Sequence, residues 1–387
     1  AEAFDLRIHC LVALLWCAPA SAVSVAETLP LNPADWKLYP ADLLRSVTSY
    51  LASTLQFSGA TDHTNDSAGG SLSVAGSNMI LSSHDISLDF RDSVSRRSGG
   101  DFQSLAFRYS FPLAGVDFAL SLEDSEYGGV TTKAGQQLDA RGEYSGLSLS
   151  GSRALWSWNA FEMDSVFSHS SGTRHRYEES VWISDTSHQL SSFGVRCSGK
   201  TEMVGGFQAG TLVTAMGGLE NRESTSVSTV TSERTRFHKL TLGASLSRSF
   251  YAWDLGLDGR YQLAPEDLAS SEYLLVAGPS MSKGFNGQSL YVSEGGWVRM
   301  NVRSPGYSLP FLNSVNSYVS VSVLKGWAPT SATDGQAFGA STGEVSLRLQ
   351  GRGFYASMNV GQILDLSGDA MRRPAGPDVS LSMSLGI

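Results

Sequence analysis

Val379-Ser-Leu-Ser-Met-Ser-Leu-Gly-Ile387 alternates without a break. Val379, Leu381, Met383, Leu385 and Ile387 fall on one side, Ser380, Ser382, Ser384 and Gly386 on the other. Successive side chains of a β-strand point to opposite sheet faces, so this stretch reads as a strand lying between an apolar and a polar medium. A last strand of this kind suits a closed barrel, where it pairs with the first.

The pattern recurs upstream. From Tyr251 to Leu263 the apolar set is Tyr251, Trp253, Leu255, Leu257, Tyr261 and Leu263, opposed by Ala252, Asp254, Gly256, Asp258, Arg260 and Gln262. Leu105, Phe107, Tyr109 and Phe111 oppose Ala106, Arg108 and Ser110, while Val298, Met300 and Val302 oppose Arg299, Asn301 and Arg303. One such strand fits a soluble sandwich as well as a membrane barrel. The leader, the composition and the rhythm of connections separate the two.

Ile8 to Trp16 is a short apolar run behind Arg7, and Ala18-Pro-Ala-Ser-Ala22 supplies small residues at signal-peptidase spacing. The run is shorter than the ~20 residues a spanning helix needs. Residues 1–22 therefore read as a signal peptide, although Glu2 and Asp5 depart from the usual basic start. Residues 23–50 read as a short periplasmic linker, in which Leu43, Leu44, Val47, Tyr50 and Leu51 repeat at helical spacing behind Asp42. This amphipathic helix is expected to lie against the periplasmic rim, or else to insert into the pore. Residues 51–387 read as the barrel.

The chain carries 40 Gly and 17% charged residues, and no later apolar run is long enough for a spanning helix. Of its three cysteines only Cys197 remains after leader removal, so neither an internal disulfide nor a cysteine metal site is expected. The formal charge of -9 shows no basic stripe for nucleic acid. Polar segments such as Glu126 to Gln137, Gly172 to Thr186, Asn221 to Glu233 and Ala264 to Glu294 read as long outer loops. They alternate with tight turns such as Phe111 to Gly115, Ser249 to Tyr251 and Gly351 to Gly353. This predicts an all-β, closed antiparallel transmembrane barrel of about 16 strands in the bacterial outer membrane. Its lumen would be wet and of mixed sign, lined by Asp117, Asp254, Asp258, Arg260 and Arg299 among others. Trp156, Trp158, Trp182, Trp253, Trp297 and Trp327 are placed for an interfacial girdle.

No catalytic constellation, metal pair or cofactor cradle is expected. The histidines are scattered, and His175, beside Arg174, Glu178 and Glu179, reads as part of a solvated loop more readily than as a rim acid-base site.

The stretch from Gln262 through Ser271-Glu272 and Gly278-Pro-Ser-Met-Ser282-Lys283-Gly284-Phe285 to Gly295-Gly-Trp297 resembles the central loop of the two-partner secretion transporters, the haemolysin and haemagglutinin secretion/activation proteins. The likeness runs over about Leu51 to Ile387 and places the loop between strands eleven and twelve. It implies export of an unfolded exoprotein through the lumen, insertion into outer-membrane lipid by the barrel assembly machinery, and a loop tip folded into the pore.

Three departures stand beside it. The family's tip arginine and the aspartate it pairs with, in a Phe-x-Asp-x-Gly strand, are here Lys283 and the Leu324 of Leu324-Lys-Gly326. Lysine lacks the planar fork and leucine offers it no charge, so Lys283 is expected to find Asp254, Asp258 or Asp117, or to stay in water. The short stretch between Ala22 and Leu51 leaves no room for the family's two periplasmic capture domains. The last residue is Ile387 in place of the usual aromatic. A passive or structural barrel that has lost secretion is the alternative these departures suggest.

Overall fold

The computed structural model describes residues 55–386 except 65–66, 79–82, 96–99, 134–135, 265–267, 310–311 and 330–336. The leader, the linker helix and Ile387 lie outside the described residues.

The strands are β1 (Leu55–His63), β2 (Ser67–Ser77), β3 (Asp85–Ser95), β4 (Asp101–Leu113), β5 (Val116–Lys133), β6 (Gln136–Trp158), β7 (Phe161–Glu178), β8 (Val181–Met203), β9 (Phe207–Ser226), β10 (Val230–Phe250) and β11 (Trp253–Leu263). They continue with β12 (Leu274–Ala277), β13 (Leu290–Val292), β14 (Gly295–Arg303), β15 (Tyr307–Leu309), β16 (Leu312–Ala328), β17 (Phe338–Gly351), β18 (Phe354–Ser367) and β19 (Asp378–Gly386). Each pairs antiparallel with its neighbour, and β1 closes on β19 from Ser58↔Gly386 to His63↔Leu381. β14 and β15 both pair with β16 and share one stave, while β12 and β13 form a separate hairpin. The wall is thus a closed barrel of sixteen staves with one extra short strand.

The decisive observation is the sense of the alternation. Along β19, Leu381, Met383 and Leu385 are 50%, 50% and 59% exposed, whereas Ser380 is 1% exposed. Leu255, Leu257, Val298 and Met300 are likewise exposed on β11 and β14. Apolar residues outside and polar residues inside invert the soluble arrangement and match a lipid-facing barrel. None of the described helices is long and apolar enough to cross a membrane.

Three expectations are corrected. The polar segments Glu126 to Gln137, Gly172 to Thr186 and Asn221 to Glu233 are mostly strand: β7 and β8 turn at Glu179–Ser180, and β9 and β10 turn over 227–229. Backbone pairing continues above the membrane, where the outer face meets water and no longer selects apolar residues, so the alternation fades while the ladder persists. Strands β6 and β8 reach 23 residues, well beyond the ~10 needed to cross. His175 therefore lies on β7, where its Nδ1 pairs with Asp185 Oδ1 on β8 at 2.6 Å, and Asp185 also accepts the Trp182 indole N–H at 2.7 Å. Finally, Trp297 packs against the apolar cluster inside the barrel and not in the outer girdle.

Candidate functional site

The segment between β11 and β14 is built into the lumen from its root to its tip. At the root, Gln262 lies on the inward parity of β11 and is only 2% exposed. Its Nε2 donates to the carbonyls of Glu272 (3.1 Å) and Ser293 (3.0 Å), one on each arm of the loop. A carboxamide carries two donors on one nitrogen, so this one side chain ties the outgoing and returning arms together. Lys239 of β10 forms an ion pair with Glu272, both largely buried. Leu268 and Ala269 pack on Leu190 of β8 and Phe237 of β10.

From there the loop crosses the lumen. The β12–β13 hairpin and a 3-10 turn at Lys283–Phe285 meet the inner wall formed by β14, β16, β17 and β18. Phe285, 0% exposed, shares one buried cluster with Val276, Val292, Leu324, Ala340, Ile363 and Met371. Leu324 is 1% exposed. The Lys283 backbone N–H donates to Glu344 Oε2 of β17 at 2.7 Å, a bond strengthened by the acceptor's charge. On the return, the Gln288 amide exchanges two hydrogen bonds of 2.8 Å with the backbone of Arg372.

Backbones touch at the tip. A Cβ on Gly284 would stand 2.7 Å from the Gln362 nitrogen, one on Gly361 would overlap the Gly284 nitrogen, and one on Gly326 would overlap the Val276 carbonyl. Glycine is required here for approach, not for an unusual φ. Asn286 ends the turn in the left-handed region, at φ 51°. The Ser282 hydroxyl accepts the Gly284 N–H at 3.4 Å, and Gly278 is buried at the end of β12.

Depth follows from register. Asp62, Glu344 and Gly361, which surround the tip, each lie seven residues from the short-turn end of their strands, at Leu55, Gly351 and Phe354. A strand crosses the bilayer in ~10 residues, so the tip is held at the level of the membrane.

The residues singled out in the sequence divide into two groups. Gly278, Ser282, Lys283, Gly284, Phe285, Leu324 and Gly326 come together. Asp254, Asp258 and Asp117 do not receive Lys283: Asp254 is bonded to Arg303 (Nε at 3.0 Å) and Ser249, Asp258 faces Arg299 at 3.5 Å, and Asp117 sits on β5 opposite Ser152. The Lys283 ammonium instead lies 3.7 Å from Asp62 on β1. Leu324 offers Lys283 no charge, and its side chain is part of the apolar core that holds the tip. Arg260 borders a luminal cleft of about 360 Å³ with Lys239, Gln262, Glu272 and Trp297. Sequence reasoning missed Glu344, Gly361, Gln288 and Asp62. Glu344 alone left a signal, a carboxylate on the serine and threonine side of an alternating strand.

Two solved structures share this architecture. CdiB from Escherichia coli matches with a TM-score of 0.69 at 17% identity, over 86% of this chain and 63% of that one. CdiB from Acinetobacter baumannii matches with 0.65 at 16% identity, over 86% and 60%. The chain thus spans less than two thirds of either, and at such identities the likeness speaks to fold. No curated protein sequence matches. Residues 48–344 match the haemolysin secretion/activation protein family ShlB/FhaC/HecB, and the chain belongs to that family, as a barrel of the bacterial outer membrane.

Proposed function

We propose that this barrel is the translocator of a two-partner secretion system, passing an unfolded exoprotein through its lumen while the β11–β14 loop serves as a displaceable plug. The observation that carries this reading is the burial of Phe285 in the Leu324–Ile363 cluster inside the barrel. A passive pore has no need of a loop that crosses its lumen, whereas a polypeptide channel must stay closed between passages. The mixed-sign lining gives a moving chain no single-sign trap. In this role Lys283 and Glu344 orient the tip, Gln262 keeps the two arms together as they move, and the outward apolar face meets the lipid into which the assembly machinery inserts the barrel.

The test is planar-bilayer conductance of the refolded mature chain beside a deletion of Gly278–Asn286. Export predicts a nearly closed, flickering wild type and a wide, steady deletion variant. An equally large conductance from both would assign the chain to the passive pores.

A further inference from the structure

The wall of the barrel is uneven where the loop leaves it. β10 pairs with β9 from Val230 onward, but with β11 only from Leu240↔Leu263. β11 stops at Leu263 and β14 begins at Gly295. Over Val230–Lys239, therefore, β10 rises above a notch in the rim, and among the described residues no strand pairs with its far edge.

The orientation of that edge can be read from the turn. The Ser226 N–H donates to the Thr229 carbonyl at 2.8 Å, so residues 226 and 229 form a hydrogen-bonded pair. Backbone groups alternate sides along a strand. Val230, Ser232, Arg234, Arg236 and His238 consequently aim N–H and C=O away from β9, over the notch, in a register free of shifts. The same phase runs on into the β11 ladder at Leu240.

Natural edge strands are blunted by proline, bulges, shortness or charge. This one has neither proline nor glycine from Val230 to Lys239, and no bulge. Its charges lean one way: Arg234 and Arg236 share a face with His238, opposite Glu233, while Lys239 is already paired with Glu272. Val230, Thr231, Ser232, Glu233 and Arg234 are all exposed, so both faces are open over the upper half of the segment, while lower down Leu268 and Ala269 cover Phe237 on the luminal face.

We propose that the notch edge of β10, Val230–His238, is a docking strand for the exported polypeptide, which adds to it as an antiparallel or parallel β-strand as it leaves the lumen. The occupant is an extended segment with carboxylates on the side that meets Arg234 and Arg236. Main-chain bonds give such an addition its affinity, and side-chain chemistry gives the preference. Location selects this occupant, because the edge stands over the outlet on the side where Gln262 and the Lys239–Glu272 pair anchor the plug. Pairing there would also give the first emerging residues a template, so that strand formation outside opposes backsliding. The identity of the occupant rests on the export reading; the edge itself does not.

The experiment is residue-resolved amide hydrogen exchange on the full refolded barrel, with and without a synthetic peptide of alternating threonine and valine carrying two glutamates among the threonines. Free, the amides of Ser232, Arg234 and Arg236 should exchange fast and those of Thr231, Glu233 and Thr235, bonded to β9, slowly. With the peptide the first set should slow by about tenfold or more. Ser232→Pro, which removes a donor on the open side only, should abolish the effect while the β9-facing amides stay slow. Arg234→Glu should weaken it without touching the ladder. Slow exchange at Ser232, Arg234 and Arg236 before any peptide is added, or no slowing afterwards, would overturn the proposal. Edge protection in a barrel whose conductance ignores loop deletion would remove the export reading and leave the edge standing. Gated conductance with unprotected amides would do the reverse.

Discussion

Truncating Phe285 leaves a void among Val276, Leu324, Ala340 and Ile363, on a tip whose polar ties are few. Phe→Ala changes in packed cores cost about 3–5 kcal/mol, here charged to the docked state of the loop and not to the barrel wall. Phe285→Ala is therefore expected to raise the open fraction in single-channel records by two orders of magnitude or more, equivalent to about 3 kcal/mol, with the folded barrel intact on gels run unheated. A closed channel in this variant would show that the ring does not hold the tip. Leu324→Asp tests the same cluster from the wall. It places a carboxylate inside the apolar cluster, where the cross-strand neighbour Arg299 is already engaged by Asp258 at 3.5 Å and Lys283 faces Asp62, and desolvating a charge among apolar groups is costly. The same opening is expected, and a channel that stays shut would mean that a cation rearranges to meet the new charge. Glu344→Gln should act more weakly, at about 1 kcal/mol, because an amide oxygen can still accept the Lys283 N–H without the charge.

At the scale of elements, the barrel strands were legible and their upper ends were not. Within the membrane, lipid outside and water inside force a period of two, so β11, β14 and β19 stand out from sequence alone. Above it both faces meet water and composition turns polar, yet the ladder continues, as in β7 and β8 through Glu178 and Val181. The hairpin tip there is held by a local network. Burial pushes the Asp185 carboxyl up, but the hydrogen bonds from Trp182 and His175 outweigh it and hold Asp185 below the usual carboxylate range. A depressed carboxylate contributes stability that is fully present above its unfolded value, ~3.9, and is lost as pH falls through the lower folded value. The Trp182 indole N–H resonance should hence be constant from neutral pH down to that window and shift only below it. Movement of this signal already at pH 6 would trace the hairpin's order to another group. Asp185→Asn should remove the acid transition.

For the whole molecule, the sequence made the sixteen-stave closure and the position of the loop readable, because both rest on periodicity and on a run of motif residues. What holds the loop was not readable, since its partners come from β1, β17 and β18, far away in sequence and marked by single residues such as Glu344 and Gly361. With Lys283 and Leu324 where the family resemblance implies a charged pair, the tip is still attached, through apolar packing and close backbone contact. The two kinds of attachment respond oppositely to salt. Partly exposed ion pairs such as Lys283–Asp62 are weak, and charges in contact with solvent are screened within about 3 Å at 1 M, whereas apolar burial is strengthened by sulfate and other excluded salts. The open fraction should thus stay level or fall when conductance is compared at low and high potassium chloride, and fall further when sulfate replaces chloride at equal ionic strength. Opening that climbs steadily with salt would place the holding force in the ion pairs at Asp62 and Glu272, and would make the Phe285 cluster a passenger.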